Sequence, residues 1–254
     1  MFNLDKAVKI AKYSEIIYKG YSYAKDALFG IEWEFFERDD TQAMIVVDQA
    51  EKELYIVFRG TSSFKDWITN AQCKIVYSRI GGMHGGVYAA YQAVRDDIEK
   101  FVVKVFNDHK DYKIWICGHS LGGALATWCA YVMSLVVGIE AIAGVYTFGS
   151  MKVFDKDSCM EYNRILEEQT YRIVHGCDMV TYLPTGKYQH VEDLVYIDTK
   201  DNILVDEEGS KEGLKRMMWD KFREGIKNAC TFQLFRKGHE IKRYVSSLEQ
   251  GKVK

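Results

Sequence analysis

The chain has 254 residues, a length that admits one large α/β domain or two small ones. Hydrophobic residues make up 48% and charged residues 28%, which excludes a disordered or fibrous chain, and the single proline, Pro184, excludes Pro-rich linkers and stalks. The formal net charge of −2 gives no sign of nucleic acid as a partner, although from Lys211 onward 12 Lys+Arg stand against 5 Asp+Glu, a run that reads as a solvated helix face before it reads as a lipid-binding one.

The first twenty residues predict a helix, with Leu4, Ala7, Val8, Ala11 and Ile16 at helical spacing. Asp5, Lys6 and Lys9 stand where a secretory leader needs an apolar core, so a cytoplasmic protein with free thiols is expected. Strands are expected over 31–38, 43–48 and 54–59, the last two joined as a hairpin, and again over 72–80. A glycine cluster follows at Gly81, Gly82, Gly85 and Gly86. Residues 87–107 predict a long helix with Val94, Ile98, Phe101 and Val105 on one stripe. Beyond it come strand 113–117, helix 121–137, and strands 141–148 and 171–175, with 194–197 as an edge strand. The stretch 200–213 reads as a loop, and helices over 211–227 and 240–248 close the chain. Strands alternating with helices imply an α/β fold with a mainly parallel central sheet covered on both faces. The six cysteines (73, 117, 129, 159, 177 and 230) show neither a CxxC pair nor metal-ligand spacing, and no metal or organic cofactor is expected.

Chemistry is concentrated in Gly118-His119-Ser120-Leu121-Gly122, a Gly-x-Ser-x-Gly pattern between a predicted strand and a predicted helix. A serine on so sharp a turn tolerates no side chain two residues away, and Gly118 and Gly122 meet that need. The turn lifts Ser120 above the sheet and points the following helix N-terminus at it, where the Leu121 N–H can serve an oxyanion.

These residues, with Gly123, resemble the elbow of the class 3 (fungal-type) triacylglycerol lipases, members of the α/β-hydrolase superfamily. Three further blocks are similar and in the family's order: Val57-Phe58-Arg59-Gly60-Thr61, Met83-His84-Gly85-Gly86-Val87-Tyr88, and Arg172 through Val180 followed by Leu183-Pro184. The resemblance implies a serine ester hydrolase with Ser120 as nucleophile and Asp178 as the acid. The base then follows the acid, which leaves His190 and His239. His239 is favoured, because the family places its histidine near the C-terminus with an aromatic a few residues on, here Tyr244. Asp155, Asp157, Asp193 and Asp198 compete with Asp178 as surface carboxylates. The resemblance also implies Thr61 as second oxyanion donor, opposite Leu121, and a short amphipathic lid carrying Phe64, Trp67 and Ile68 on one face. His84 and His119 read as packing or hydrogen-bonding residues.

A lipid or small ester is the expected substrate, with transient contact with a lipid interface. A phospholipase or soluble-ester hydrolase is the neighbouring alternative, and a catalytically inactive lipase-like binding module is the contrasting class. The site draws on both halves of the chain, so residues 1–254 are expected to form one domain.

Overall fold

The computed structural model describes residues 1–60, 74–176, 178–191, 194–206, 215–218 and 239–253. Thr61, the three lid residues, and the 211–227 helix apart from a helical turn at 215–218 lie outside these.

Among the described residues a nine-stranded sheet dominates, in the order β1-β2-β3-β6-β7-β8-β9-β10-β11. At one side β1 (Glu32–Arg38), β2 (Thr41–Asp48) and β3 (Glu53–Phe58) form an antiparallel meander. From β3 the ladder runs parallel through β6 (Lys113–His119), β7 (Ile142–Phe148), β8 (Thr170–His175) and β9 (Leu194–Ile197). β10 (Asn202–Val205) and a two-residue β11 (Lys252–Val253) finish it. Two expectations change here. The 194–197 strand is interior, not an edge, and the expected loop begins with β10, whose short apolar run pairs antiparallel with β9. Separately, β4 (Ile75–Ser78) and β5 (Gly81–His84) form a small antiparallel hairpin.

Side-chain alternation explains how both faces of the sheet are filled. Ala43, Ile45, Leu54, Ile56, Phe58, Ile114 and Ile116 enter one core, packed under α3 (Gly85–Asp108), α4 (Leu121–Val136) and α5 (Lys156–Leu166). Met44, Val46, Tyr55, Val57 and Cys117 enter the opposite core, covered by α1 (Leu4–Tyr18), α2 (Gly20–Ala27) and α6 (Ile241–Gln250). Strands buried on both faces read as unbroken apolar runs, which is the pattern seen here. α4 is buried on every side from Leu121 to Met133, as its near-absence of polar residues requires.

The expected opening helix is α1, which ends at Tyr18, and a second helix that the sequence reading did not predict, α2, follows directly after Lys19. α1 runs lengthwise over β3 and β6, from the amino ends of these parallel strands to their carboxyl ends. Lys6 pairs with Glu53 at the start of β3, and Tyr18 reaches His119 at the end of β6. Among the described residues no helix is long and apolar enough to cross a membrane.

Candidate active site

At the carboxyl edge of β6 the chain turns abruptly into α4. Ser120 occupies the turn with φ 61° and ψ −126°, a conformation that costs a residue with a side chain on the order of 1–3 kcal/mol. The fold around it enforces the strain. A Cβ on Gly118 would lie 2.2 Å from the Gly122 carbonyl, and one on Gly122 would lie 2.3 Å from the Phe58 carbonyl oxygen. Both contacts are with backbone, so neither can be relieved by a rotamer change. The Ser120 N–H donates to the Phe148 carbonyl at 2.9 Å, tying the elbow to β7. The serine is 2% exposed, and its Oγ makes no hydrogen bond to any described residue. Leu121 is the first residue of α4, so its N–H has no acceptor within the helix.

Asp178 lies just past β8 and is fully buried. An unpaired carboxylate there would cost several kcal/mol, and three donors prevent that. Oδ2 accepts from the Tyr244 hydroxyl at 2.6 Å and from His239 Nδ1 at 2.7 Å, while Oδ1 accepts from the Val180 N–H at 3.0 Å. Burial, and then the Asp178 charge, push the Tyr244 phenol well above its ordinary value, so it stays a donor. Because Nδ1 of His239 donates, the neutral imidazole carries its lone pair on Nε2. His239 is anchored one residue ahead of the α6 N-cap, Glu240.

The other candidates are engaged elsewhere. His190 donates through Nε2 to the Thr181 carbonyl, and burial holds its pKa well below the ordinary value. Asp155 caps α5 through the Ser158 N–H, and Asp198 accepts from Lys200 and Asn202 around the β9–β10 turn and forms an ion pair with Arg216. Asp193 lies outside the described residues, as do Thr61, Phe64, Trp67 and Ile68. His84 caps α3, its Nδ1 accepting from the Val87 N–H. The His119 ring lies tilted against that of His239, with centroids 4.5 Å apart. Cys117, Cys129 and Cys159 are buried free thiols.

Two contributors escape sequence reasoning. Gly149 (φ 55°) ends β7, and a Cβ there would lie 2.5 Å from Asp178 Oδ2 and 3.1 Å from His239 Nδ1; its only local signal is a glycine closing an apolar run. Tyr18 contacts His119 across 101 residues and leaves no local signal at all.

The family model for "Lipase (class 3)" matches residues 55–188. The lipase of Rhizomucor miehei is 31% identical over 163 residues, 59% of this chain and 42% of that protein. The secreted mono- and diacylglycerol lipase 1 of Fusarium solani is 30% identical over 167 residues, 61% of this chain and 47% of that protein. The chain thus spans about half the length of the curated relatives it matches. The solved structure of the Rhizomucor miehei triacylglyceride lipase superposes with a TM-score of 0.65 at 25% identity, covering 78% of this chain and 80% of that one.

Relatives named as secreted overturn the cytoplasmic expectation. The N-terminal charges that suggested it serve the fold instead: Lys6 pairs with Glu53, Lys9 pairs with Asp48, and Asp5 sits in the first turn of α1. They report helix packing and carry no information about compartment. The family model covers residues 55–188, more than half of the sequence, and the chain belongs to the class 3 lipase family.

Proposed function

We propose that the protein is a serine carboxylic-ester hydrolase acting on acylglycerols or related lipid esters. The observation that carries this reading is the pairing of buried Asp178 with His239 at the same sheet edge as the strained, enclosed Ser120. His239 Nε2 removes the Ser120 proton as Oγ attacks the acyl carbonyl, and Asp178 holds the imidazole in the tautomer that permits this and stabilises the imidazolium. The oxyanion forms opposite the Leu121 N–H at the α4 N-terminus, where one such donor contributes about 10²–10³-fold in kcat. Thr61, by its position after Phe58-Arg59-Gly60, supplies the second donor. The tetrahedral intermediate collapses, the alcohol departs with the proton from His239, and the acyl group stays on Ser120. Water, deprotonated by His239, then releases the fatty acid and restores the serine.

The acylglycerol assignment rests on the printed names of the relatives. It is tested by assaying wild type and Ser120→Ala on monoacylglycerols and on p-nitrophenyl esters. The expected result is a kcat loss on the order of 10⁶-fold in the variant on both substrates. Wild-type hydrolysis by Ser120→Ala would refute the mechanism, and hydrolysis of soluble esters alone would narrow the substrate class.

A further inference from the structure

We propose that His119, the residue between Gly118 and Ser120, is a positioning residue for the base, and that Tyr18 fixes the tautomer in which it does so. The inference rests on the assignment of Ser120 and His239 above.

The hydrogen-bond roles follow from elementary chemistry. His119 Nε2 lies 2.6 Å from the main-chain carbonyl oxygen of His239, and a carbonyl can only accept, so Nε2 carries the proton. In the neutral ring Nδ1 must then be an acceptor, and the Tyr18 hydroxyl donates to it at 2.9 Å. The Tyr18 hydroxyl also packs against Gly60, the residue immediately before Thr61, where an added Cβ would lie 2.2 Å from the phenol oxygen. Tyr18 therefore touches the segment leading to the oxyanion block while its relay through His119 joins the elbow to the segment carrying the base.

His239 is consequently held at two points. Asp178 fixes its side chain through Nδ1, and His119 fixes its main chain through the carbonyl. With both fixed, the position of Nε2 relative to Ser120 is set, and proton transfer between them depends on that position. Without Tyr18 the His119 ring is free to take the other tautomer, which would turn a lone pair toward the His239 carbonyl and repel it.

Neutrality matters as much as the tautomer. The two imidazole centroids are 4.5 Å apart, and His239 becomes an imidazolium during turnover. A charged His119 would place a second cation against it. His119 is only 4% exposed, and burial, followed by the nearness of His239, keeps its pKa well below the ordinary range. Burial likewise raises the Tyr18 phenol, which therefore remains a donor.

The test measures kcat and KM on a soluble p-nitrophenyl ester for wild type, Tyr18→Phe, His119→Leu, His119→Gln and the double variant Tyr18→Phe/His119→Leu, with Ser120→Ala as blank. Tyr18→Phe and His119→Leu are each expected to lower kcat about ten-fold, the scale of one hydrogen bond, while KM stays within about two-fold. His119→Gln retains a donor at the Nε2 position and is expected to recover most of the kcat lost in His119→Leu. The double variant is expected to lose no more than His119→Leu alone, because both substitutions break the same relay. Wild-type kcat in both Tyr18→Phe and His119→Leu overturns the proposal. So does an equal loss in His119→Gln and His119→Leu, or a change in KM alone. If His119→Leu does not fold, Tyr18→Phe and His119→Gln decide. An active Ser120→Ala blank would instead strike at the ester-hydrolase reading beneath it.

Discussion

Ser120 and Asp178 are both enclosed at the carboxyl edge of the same sheet, yet different forces hold them. Ser120 is placed by its backbone. Its φ of 61° is imposed by the close approach of Gly118 to Gly122 and of Gly122 to Phe58, and its Oγ has no hydrogen-bond partner among the described residues. Asp178 has ordinary dihedrals (φ −59°, ψ 106°) and is placed by its side chain, which gathers donors from Val180, His239 and Tyr244. The contrast suits the chemistry proposed. A nucleophile needs an oxygen whose only engagement is with base and substrate, so the scaffold must locate it without bonding to it. The acid must stay charged in a dry site, so it needs the fullest hydrogen bonding the fold can supply.

The difference predicts which substitutions cost catalysis and which cost stability. The largest effect is expected from Asp178→Asn, which keeps the shape but lets the imidazole adopt the wrong tautomer: kcat falls about 10⁴-fold, or roughly 5.5 kcal/mol, in a steady-state assay. A variant within about ten-fold of wild type would remove Asp178 from the mechanism. Next is Gly122→Ala, whose Cβ would meet the Phe58 carbonyl at 2.3 Å and force β3 and α4 apart. It is expected to destabilise by about 3 kcal/mol, read as a fall in thermal midpoint of roughly 6–12 °C.

Tyr244→Phe follows. It removes one of the three donors to a buried carboxylate, at about 2 kcal/mol in denaturant titration, with a smaller loss of activity than Asp178→Asn. The smallest effect has the opposite sign. Ser120→Gly abolishes hydrolysis but relieves the positive φ, and is expected to raise stability by about 1 kcal/mol. If Ser120→Gly were instead destabilising, the strain ascribed to the elbow would have to be abandoned.

The same contrast explains what could be read from the sequence. Backbone placement is largely local: the close approach of Gly118 to Gly122 lies within five consecutive residues, and the strand and helix on either side are visible as apolar runs; the approach of Gly122 to Phe58 alone reaches further. Strands β2, β3, β6, β7 and β8 were legible for that reason. Side-chain placement is not local. His239 meets Asp178 across 61 residues, and only the order of family blocks connected them beforehand. Gly149 and Tyr18 act through approaches that no spacing encodes. Among the secondary elements, β5 was hidden because Gly81 and Gly82 offer no side chains to pattern. α5 was hidden because it buries only Ser158, Cys159, Tyr162 and Leu166 on an otherwise polar surface. α2 was hidden because, of its eight residues, only Ala24 is buried, which leaves no apolar stripe to read.

The central claim is that Ser120 is activated by His239 and by no other histidine. A fluorophosphonate probe tests it most directly, with the labelled residue identified by peptide mass spectrometry in wild type, His239→Ala and His190→Ala. The account predicts rapid labelling on Ser120 in wild type and His190→Ala, and loss of that labelling in His239→Ala. Wild-type labelling of Ser120 in His239→Ala, or its loss in a folded His190→Ala, would contradict it.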